Sequence, residues 1–166
     1  MPEGPEIRRA ADVVADALVG DVVTPVRFGL PALRRAATRL KNHRVIDVET
    51  RGKAMLTHFD HGWSIYSHNQ LYGVWHVFAG RELPRTNRSL RLLLQTRDYS
   101  AILYSASDIS VWRTENLQEH PFLARLGPDI MDGTLGWRDI AARLQVLRAP
   151  HADIGGAVQY RAVVPG

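Results

Sequence analysis

The stretch from Val45 to Trp112 does most to limit what this chain can fold into. Short runs with β-forming residues alternate there with turn residues: Val45–Thr50 before Arg51-Gly52, then Lys53–Phe59 before Asp60-His61-Gly62. Ser64–Ser67 leads into the polar His68-Asn69-Gln70, and Gly73–Phe78 follows. Beyond an exposed-reading segment over 80–88 come Leu90–Gln95, a turn near Arg97-Asp98, Ser100–Tyr104 and Ile109–Trp112. Short strands at this spacing indicate antiparallel sheets packed as a sandwich. A helix is expected over Pro5–Val19, where Ile7, Ala10, Ala11, Val14 and Leu18 recur on one face and Gly20 suits the stop. A second helix is expected at about Leu135–Leu147, with Trp137, Ile140, Ala141, Leu144 and Leu147 on one face. The stretch 22–28 reads as a strand despite Pro25. The basic, polar patch from Arg34-Arg35 to Lys41-Asn42-His43-Arg44 reads as a loop or edge. The fold class is therefore α+β, mainly β: a two-layer antiparallel β-sandwich flanked by an N-terminal helix and a second helix. Residues 151–166 have no clear period.

A length of 166 residues suits one domain with a sizeable core. No apolar run is long enough for a membrane span, and Met1-Pro2-Glu3 does not open a signal peptide, so a cytoplasmic protein is expected. Without cysteine there is neither a disulfide nor a thiolate metal site. The net charge of +4 comes from 21 Lys+Arg against 17 Asp+Glu, and all the cations but Lys41 and Lys53 are arginine. This balance favours a polyanionic partner.

The first six residues, Met1-Pro2-Glu3-Gly4-Pro5-Glu6, carry the most chemistry. Removal of Met1, which the small Pro2 favours, leaves a free secondary amine. An internal proline has no such group. An α-amino group titrates at about 7.7–8.0, so a useful fraction is nucleophilic at neutral pH. Its attack on a sugar aldehyde carbon gives an iminium, and the Glu3 carboxyl beside it is suited to handle protons. Glu3 and Glu6 lie at or just before a helix N-terminus, which stabilises carboxylates. Proline and glutamate are also ordinary at a helix start, so the position alone leaves both readings open.

Several motifs occur together in one register over residues 1 to about 130: Pro2-Glu3-Gly4-Pro5-Glu6-Ile7-Arg8-Arg9, Glu49-Thr50-Arg51-Gly52-Lys53-Ala54, and Tyr66-Ser67-His68-Asn69-Gln70-Leu71-Tyr72-Gly73-Val74-Trp75. Leu103-Tyr104-Ser105-Ala106-Ser107-Asp108 and His120-Pro121-Phe122-Leu123-Ala124-Arg125-Leu126-Gly127-Pro128-Asp129 complete the set. The chain resembles the formamidopyrimidine-DNA glycosylase/endonuclease VIII family, on its endonuclease VIII side. The resemblance implies base-excision DNA repair: a DNA N-glycosylase for oxidised pyrimidines with AP lyase (β-elimination) activity. It makes Pro2 the nucleophile that forms the Schiff base at the sugar C1′, Glu3 the acid/base that opens the sugar ring, and Lys53 the cation assisting β-elimination. Gln70, Leu71 and Tyr72 match the loop that fills the hole left by a flipped nucleotide, and Arg125 matches a phosphate contact. Read alone, Lys53 is a solvated strand-end lysine, Leu71-Tyr72 a core pair, and Arg125 one more surface arginine.

The resemblance also marks what to expect beyond this pattern. The full family continues with a helix–two-turn–helix domain and a zinc ribbon of four cysteines, and both are missing from this sequence. The expected organisation is a catalytic domain over 1–150 and an unmatched tail over 151–166, with no cofactor in this chain and activity impaired by truncation. The expected partner is damaged or abasic DNA, at the nucleoid of a bacterial cytoplasm, with self-association through faces left exposed. A catalytically inactive DNA-binding remnant and a non-catalytic interaction domain are the alternatives.

Overall fold

The computed structural model describes residues 4–126, and the helix expected at 135–147 and the tail 151–166 lie outside them. The chain opens with helix α1 (Gly4–Leu18), then strands β1 (Val22–Val23) and β2 (Val26–Phe28), a 3-10 turn over Pro31–Leu33 and helix α2 (Arg34–Leu40). Strands β3 (His43–Arg51), β4 (Ala54–Phe59), β5 (Trp63–His68), β6 (Val74–Ala79), β7 (Leu90–Gln95), β8 (Tyr99–Tyr104) and β9 (Asp108–Arg113) follow. A 3-10 turn over Thr114–Glu119 and helix α3 (Pro121–Leu126) complete the described chain. One sheet has the order β1-β3-β4-β5-β9 and the other β2-β7-β8-β6, with every pair antiparallel.

Alternation of side chains fixes which residues the layers share. From the first sheet Val45, Val48, Met55, Phe59, Ile65 and Ile109 point inward; from the second Phe28, Leu92, Leu94, Ala101 and Leu103 meet them. Helix α1 joins the same core through Ala11, Val14, Ala17 and Leu18, and packs on β3, β4, β6 and β8. Its apolar period is the one legible in the sequence.

The outward face of the first sheet is also covered. Ala54, Leu56 and Tyr66 pack under Leu117 and Leu123, with Trp112, Phe122 and Leu126 around them. This second small core explains why β4 and β5 are buried nearly throughout. It also seats α3, the helix that carries Arg125.

Two expectations need correction. The strand read over 22–28 is broken into β1 and β2, which belong to different sheets. Pro25 lies between them and has no N–H to donate, so one continuous ladder cannot form there. The basic patch read as a loop or edge contains α2. Leu33, Ala36, Ala37 and Leu40 recur at helical spacing and pack on the main core, while Arg34, Arg35 and Arg39 face solvent. Among the described residues, the exposed large apolar side chains are Val22, Leu71 and Tyr72.

Candidate active site and nucleic-acid interface

Three connections meet at one end of the sandwich because of strand register. Arg51 pairs with Ala54, Ala54 with His68, and His68 with Asp108. The Gly52-Lys53 turn, the Asn69–Gly73 loop and the Ser105–Ser107 loop therefore lie side by side. Gly52 takes φ of 60°, the sign a type II′ hairpin needs at its first central position. A Cβ there would meet Leu126 Cδ1 at 3.2 Å and Phe122 Cζ at 3.4 Å, so the turn that presents Lys53 rests directly on α3. Arg125 is exposed on that helix, with its guanidinium 5.9 Å from the Phe122 ring.

The Asn69–Gly73 loop is tied at its base and free at its tip. The Gly73 N–H donates to the Asn69 carbonyl at 2.8 Å, and the Gln70 N–H donates to His68 Nδ1 at 3.0 Å. Gln70 Oε1 accepts from the Ser107 N–H at 3.3 Å and the Ser107 hydroxyl at 3.0 Å, which latches this loop to the β8–β9 connection. Leu71 is 57% exposed and Tyr72 76% exposed. The pair is not core, as its composition alone suggests, but a projecting apolar tip on a fastened base.

Between Lys53 and Arg125 lie four side chains that sequence reasoning left without a role: Tyr66, His68, Asp108 and His120. Tyr66 stacks on His120 with centroids 3.8 Å apart, and His68 meets the Phe122 ring edge at 5.3 Å. His120 Nδ1 accepts from the Phe122 N–H at 3.0 Å and so caps the start of α3. Burial lowers the pKa of both histidines. Asp108 opposes that shift, and Lys53 adds to it at His68 as Arg125 does at His120. Burial, reinforced by Asp108, pushes the Tyr66 phenol up, and its hydroxyl has no hydrogen-bond partner among the described residues. Burial thus favours the neutral imidazoles of His68 and His120 and the neutral Tyr66 phenol, beside the cationic side chains Lys53 and Arg125. The alternation of residues 64, 66 and 68 marks them as one strand face, but only the cover from α3 makes that face a cluster.

A second polar network lies on β3 and β4. Arg51 Nε donates to Glu49 Oε1 at 2.7 Å, while His58 bridges Glu49 Oε2 at 2.5 Å and Ser64 Oγ at 2.6 Å. Burial works to raise the Glu49 pKa, but the hydrogen bond and charge of His58, with Arg51, outweigh it and hold the carboxyl low. Asp47, in the same row, is raised by burial despite His58. The network anchors the strand that ends at the Lys53 turn.

Of the residues expected to act together, Lys53, Gln70, Leu71 and Tyr72 lie at this end, and Arg125 lies on the adjoining helix. Glu6 is exposed in the first turn of α1. Pro2 and Glu3 lie outside the described residues. Residues 1–107 match the formamidopyrimidine-DNA glycosylase N-terminal domain. This chain belongs to that family.

It is 46% identical over 166 residues to endonuclease 8 of Pectobacterium atrosepticum, and 47% identical to that of Salmonella arizonae. Both alignments cover all of this chain, residues 151–166 included, and the chain spans 63% of the length of either relative. Among solved structures it resembles Lactococcus lactis formamidopyrimidine-DNA glycosylase bound to DNA containing an abasic site, with a TM-score of 0.63 at 16% identity. That likeness covers 75% of this chain and 49% of the other. MutM in complex with DNA containing carbocyclic 8-oxo-G has a TM-score of 0.63 at 17% identity, covering 75% of this chain and 49% of that one. At such identities the likeness establishes the fold. The zinc ribbon of four cysteines implied by the family does not fit these 166 residues, which contain no cysteine.

Proposed function

We propose that this chain acts on damaged DNA as the N-terminal part of a base-excision glycosylase and AP lyase for oxidised pyrimidines, with residues 1–150 as the catalytic domain. The observation that carries the reading is the projecting Leu71-Tyr72 tip beside Lys53 and the Arg125 helix. It joins an apolar wedge and a cationic surface at one end of a family fold. Extruding a nucleotide leaves a gap in the stack, and an apolar side chain on a fastened loop is suited to fill it. Gln70 holds that loop and Arg125 neutralises phosphate. The relatives are bacterial proteins, and a nucleoid location follows from the substrate.

Pro2 is the proposed nucleophile. Helix α1 ends at the far end of the sandwich, where Val19 bridges Val45. Its 15 residues span about 22 Å and pack on β3, the strand that leads into the Gly52-Lys53 turn; the proposed chemistry requires its start to lie at the Lys53 end. The Pro2 amine bonds to C1′ as the N-glycosidic bond breaks, and Glu3 supplies the proton that opens the sugar ring. The resulting iminium acidifies the C2′ protons; transfer of one of them to solvent breaks the C3′–O bond, and the phosphate leaves with that electron pair, its charge balanced by Lys53. Glu6, at the helix N-terminus, supports the charge arrangement.

Flipping from duplex DNA costs a few kcal/mol, and an abasic single strand carries less of that cost. We therefore expect borohydride to trap this chain on abasic single strands, with little excision of an oxidised pyrimidine from duplex. Pro2→Ala should abolish trapping. Trapping that survives in Pro2→Ala would reject the nucleophile, and efficient duplex excision would reject the impairment.

A further inference from the structure

The end of the sandwich opposite Lys53 holds a cluster that the proposed chemistry does not use. His43 opens β3, while Asp60 and His61 form the β4–β5 turn, and pairing of Val45 with Phe59 brings the three together. One ring nitrogen from each histidine and one Asp60 oxygen all lie within 4.8 Å of one another. His43 Nδ1 hydrogen-bonds Asp60 Oδ1 at 3.2 Å, and His61 Nδ1 lies 3.8 Å from the same oxygen, so a bound ion would replace the His43 proton. A tetrahedral ion with nitrogen and oxygen ligands at about 2.0–2.1 Å sets its ligand atoms about 3.3–3.4 Å apart. The two observed spacings bracket that value.

The protonation pattern gives a second, independent pointer. His61 Nε2 lies 2.9 Å from the Arg39 carbonyl, an acceptor only, so that nitrogen carries the proton and Nδ1 carries the lone pair. His61 Nδ1 is nevertheless buried without a hydrogen-bond partner among the described residues. Buried polar atoms are nearly always satisfied, and here a lone pair faces a carboxylate oxygen with no proton between them. A cation completes such an arrangement. Metal-bound imidazoles commonly donate their other N–H to a backbone carbonyl, as His61 does. The His43 and His61 rings are stacked at 3.6 Å and 6°, so their Nδ1 edges are presented together.

We propose that His43, Asp60 and His61 form a binding site for a divalent transition-metal ion, with water in the fourth position. Two imidazoles and one carboxylate suit Zn²⁺, Co²⁺ or Ni²⁺ rather than Ca²⁺ or Mg²⁺. The His43 and Asp60 side chains are 39% and 43% exposed, which leaves an entry path and room for water. The ion would clamp the end of α2, through the Arg39 carbonyl, to the start of β3 and the β4–β5 turn. It requires no cysteine and is independent of the proposed glycosylase chemistry.

The test is Co²⁺ titration of the untagged 166-residue protein after chelator treatment, followed by Zn²⁺ competition. We expect saturation at one equivalent with visible absorption of a tetrahedral site, and a Zn²⁺-dependent rise in the thermal midpoint. His61→Asn and Asp60→Asn should each lower affinity at least about tenfold, while His76→Asn on another sheet face leaves it unchanged. Asp60 is exposed, so Asp60→Asn decides the matter if His61→Asn fails to fold. Wild-type Co²⁺ affinity in Asp60→Asn, or no saturable binding at millimolar Co²⁺, would overturn the site.

Discussion

Adding one methyl group at Gly73 should loosen the loop that carries Leu71 and Tyr72. A Cβ there would lie 2.5 Å from the Asn69 carbonyl oxygen, 2.8 Å from Asn69 Cα and 2.9 Å from Ala106 Cβ. Ordinary contact begins at 3.4 Å, so the backbone must open by about 0.9 Å against Asn69 and about 0.5 Å against Ala106. Ala106 is fully buried and cannot retreat, whereas residues 70–72 are exposed. The loop therefore yields, and the Gly73 N–H bond to Asn69 goes with it. Overpacking costs about 1–3 kcal/mol, and relief through an exposed loop puts Gly73→Ala in the lower half of that range. At roughly 2–4 °C per kcal/mol, the thermal midpoint should fall by about 2–8 °C. The same variant should lose affinity for abasic DNA, measured by fluorescence anisotropy beside the melt. A midpoint within a degree of wild type would refute the packing argument. A lowered midpoint with unchanged DNA affinity would separate the loop from DNA binding.

Leu71→Ser and Tyr72→Ser should leave stability within about 0.5 kcal/mol, because both side chains are exposed, yet weaken binding to abasic DNA; a large drop in midpoint would contradict their placement at the tip. Acid stability should depend on Glu49, whose pKa is held low in the fold. Its contribution is present above the unfolded value of about 4.3 and lost as pH falls through the folded one, so Glu49→Gln should weaken the protein at pH 7 and narrow the gap at pH 3. Asp47 has the opposite sign: its raised folded pKa removes stability as pH rises through that value, so Asp47→Asn should equal or exceed wild type at pH 7 in urea unfolding. DNA affinity should fall steeply with salt as phosphate contacts release counterions, and an affinity independent of salt would remove Arg125 from that role.

Much of the fold is legible because the β segments obey a simple rule. Leu90–Gln95 falls on β7 without a shift, and the other runs from 45 to 112 fall within a residue or two of their strands. The break at Pro25 is less legible, since only pairing with two different sheets distinguishes β1 and β2 from one strand. Helix α2 is short, and its arginines conceal the period of Leu33, Ala36, Ala37 and Leu40. The site divides in the same way. Lys53 and the Gln70–Tyr72 loop are readable through turn residues and motif, whereas Tyr66, His68, Asp108 and His120 become a cluster only when α3 folds over the sheet. The His43, Asp60 and His61 group comes from residues 17 and 18 positions apart, joined by strand register rather than by any local motif.

The most direct test of the proposed chemistry is to map the borohydride-reduced adduct formed with abasic single-stranded DNA by digestion and mass spectrometry. We expect the sugar remnant on an N-terminal peptide that begins at Pro2, with Met1 removed and both Lys41 and Lys53 unmodified. An adduct on either lysine, or trapping by a chain that retains Met1, would contradict Pro2 as the nucleophile.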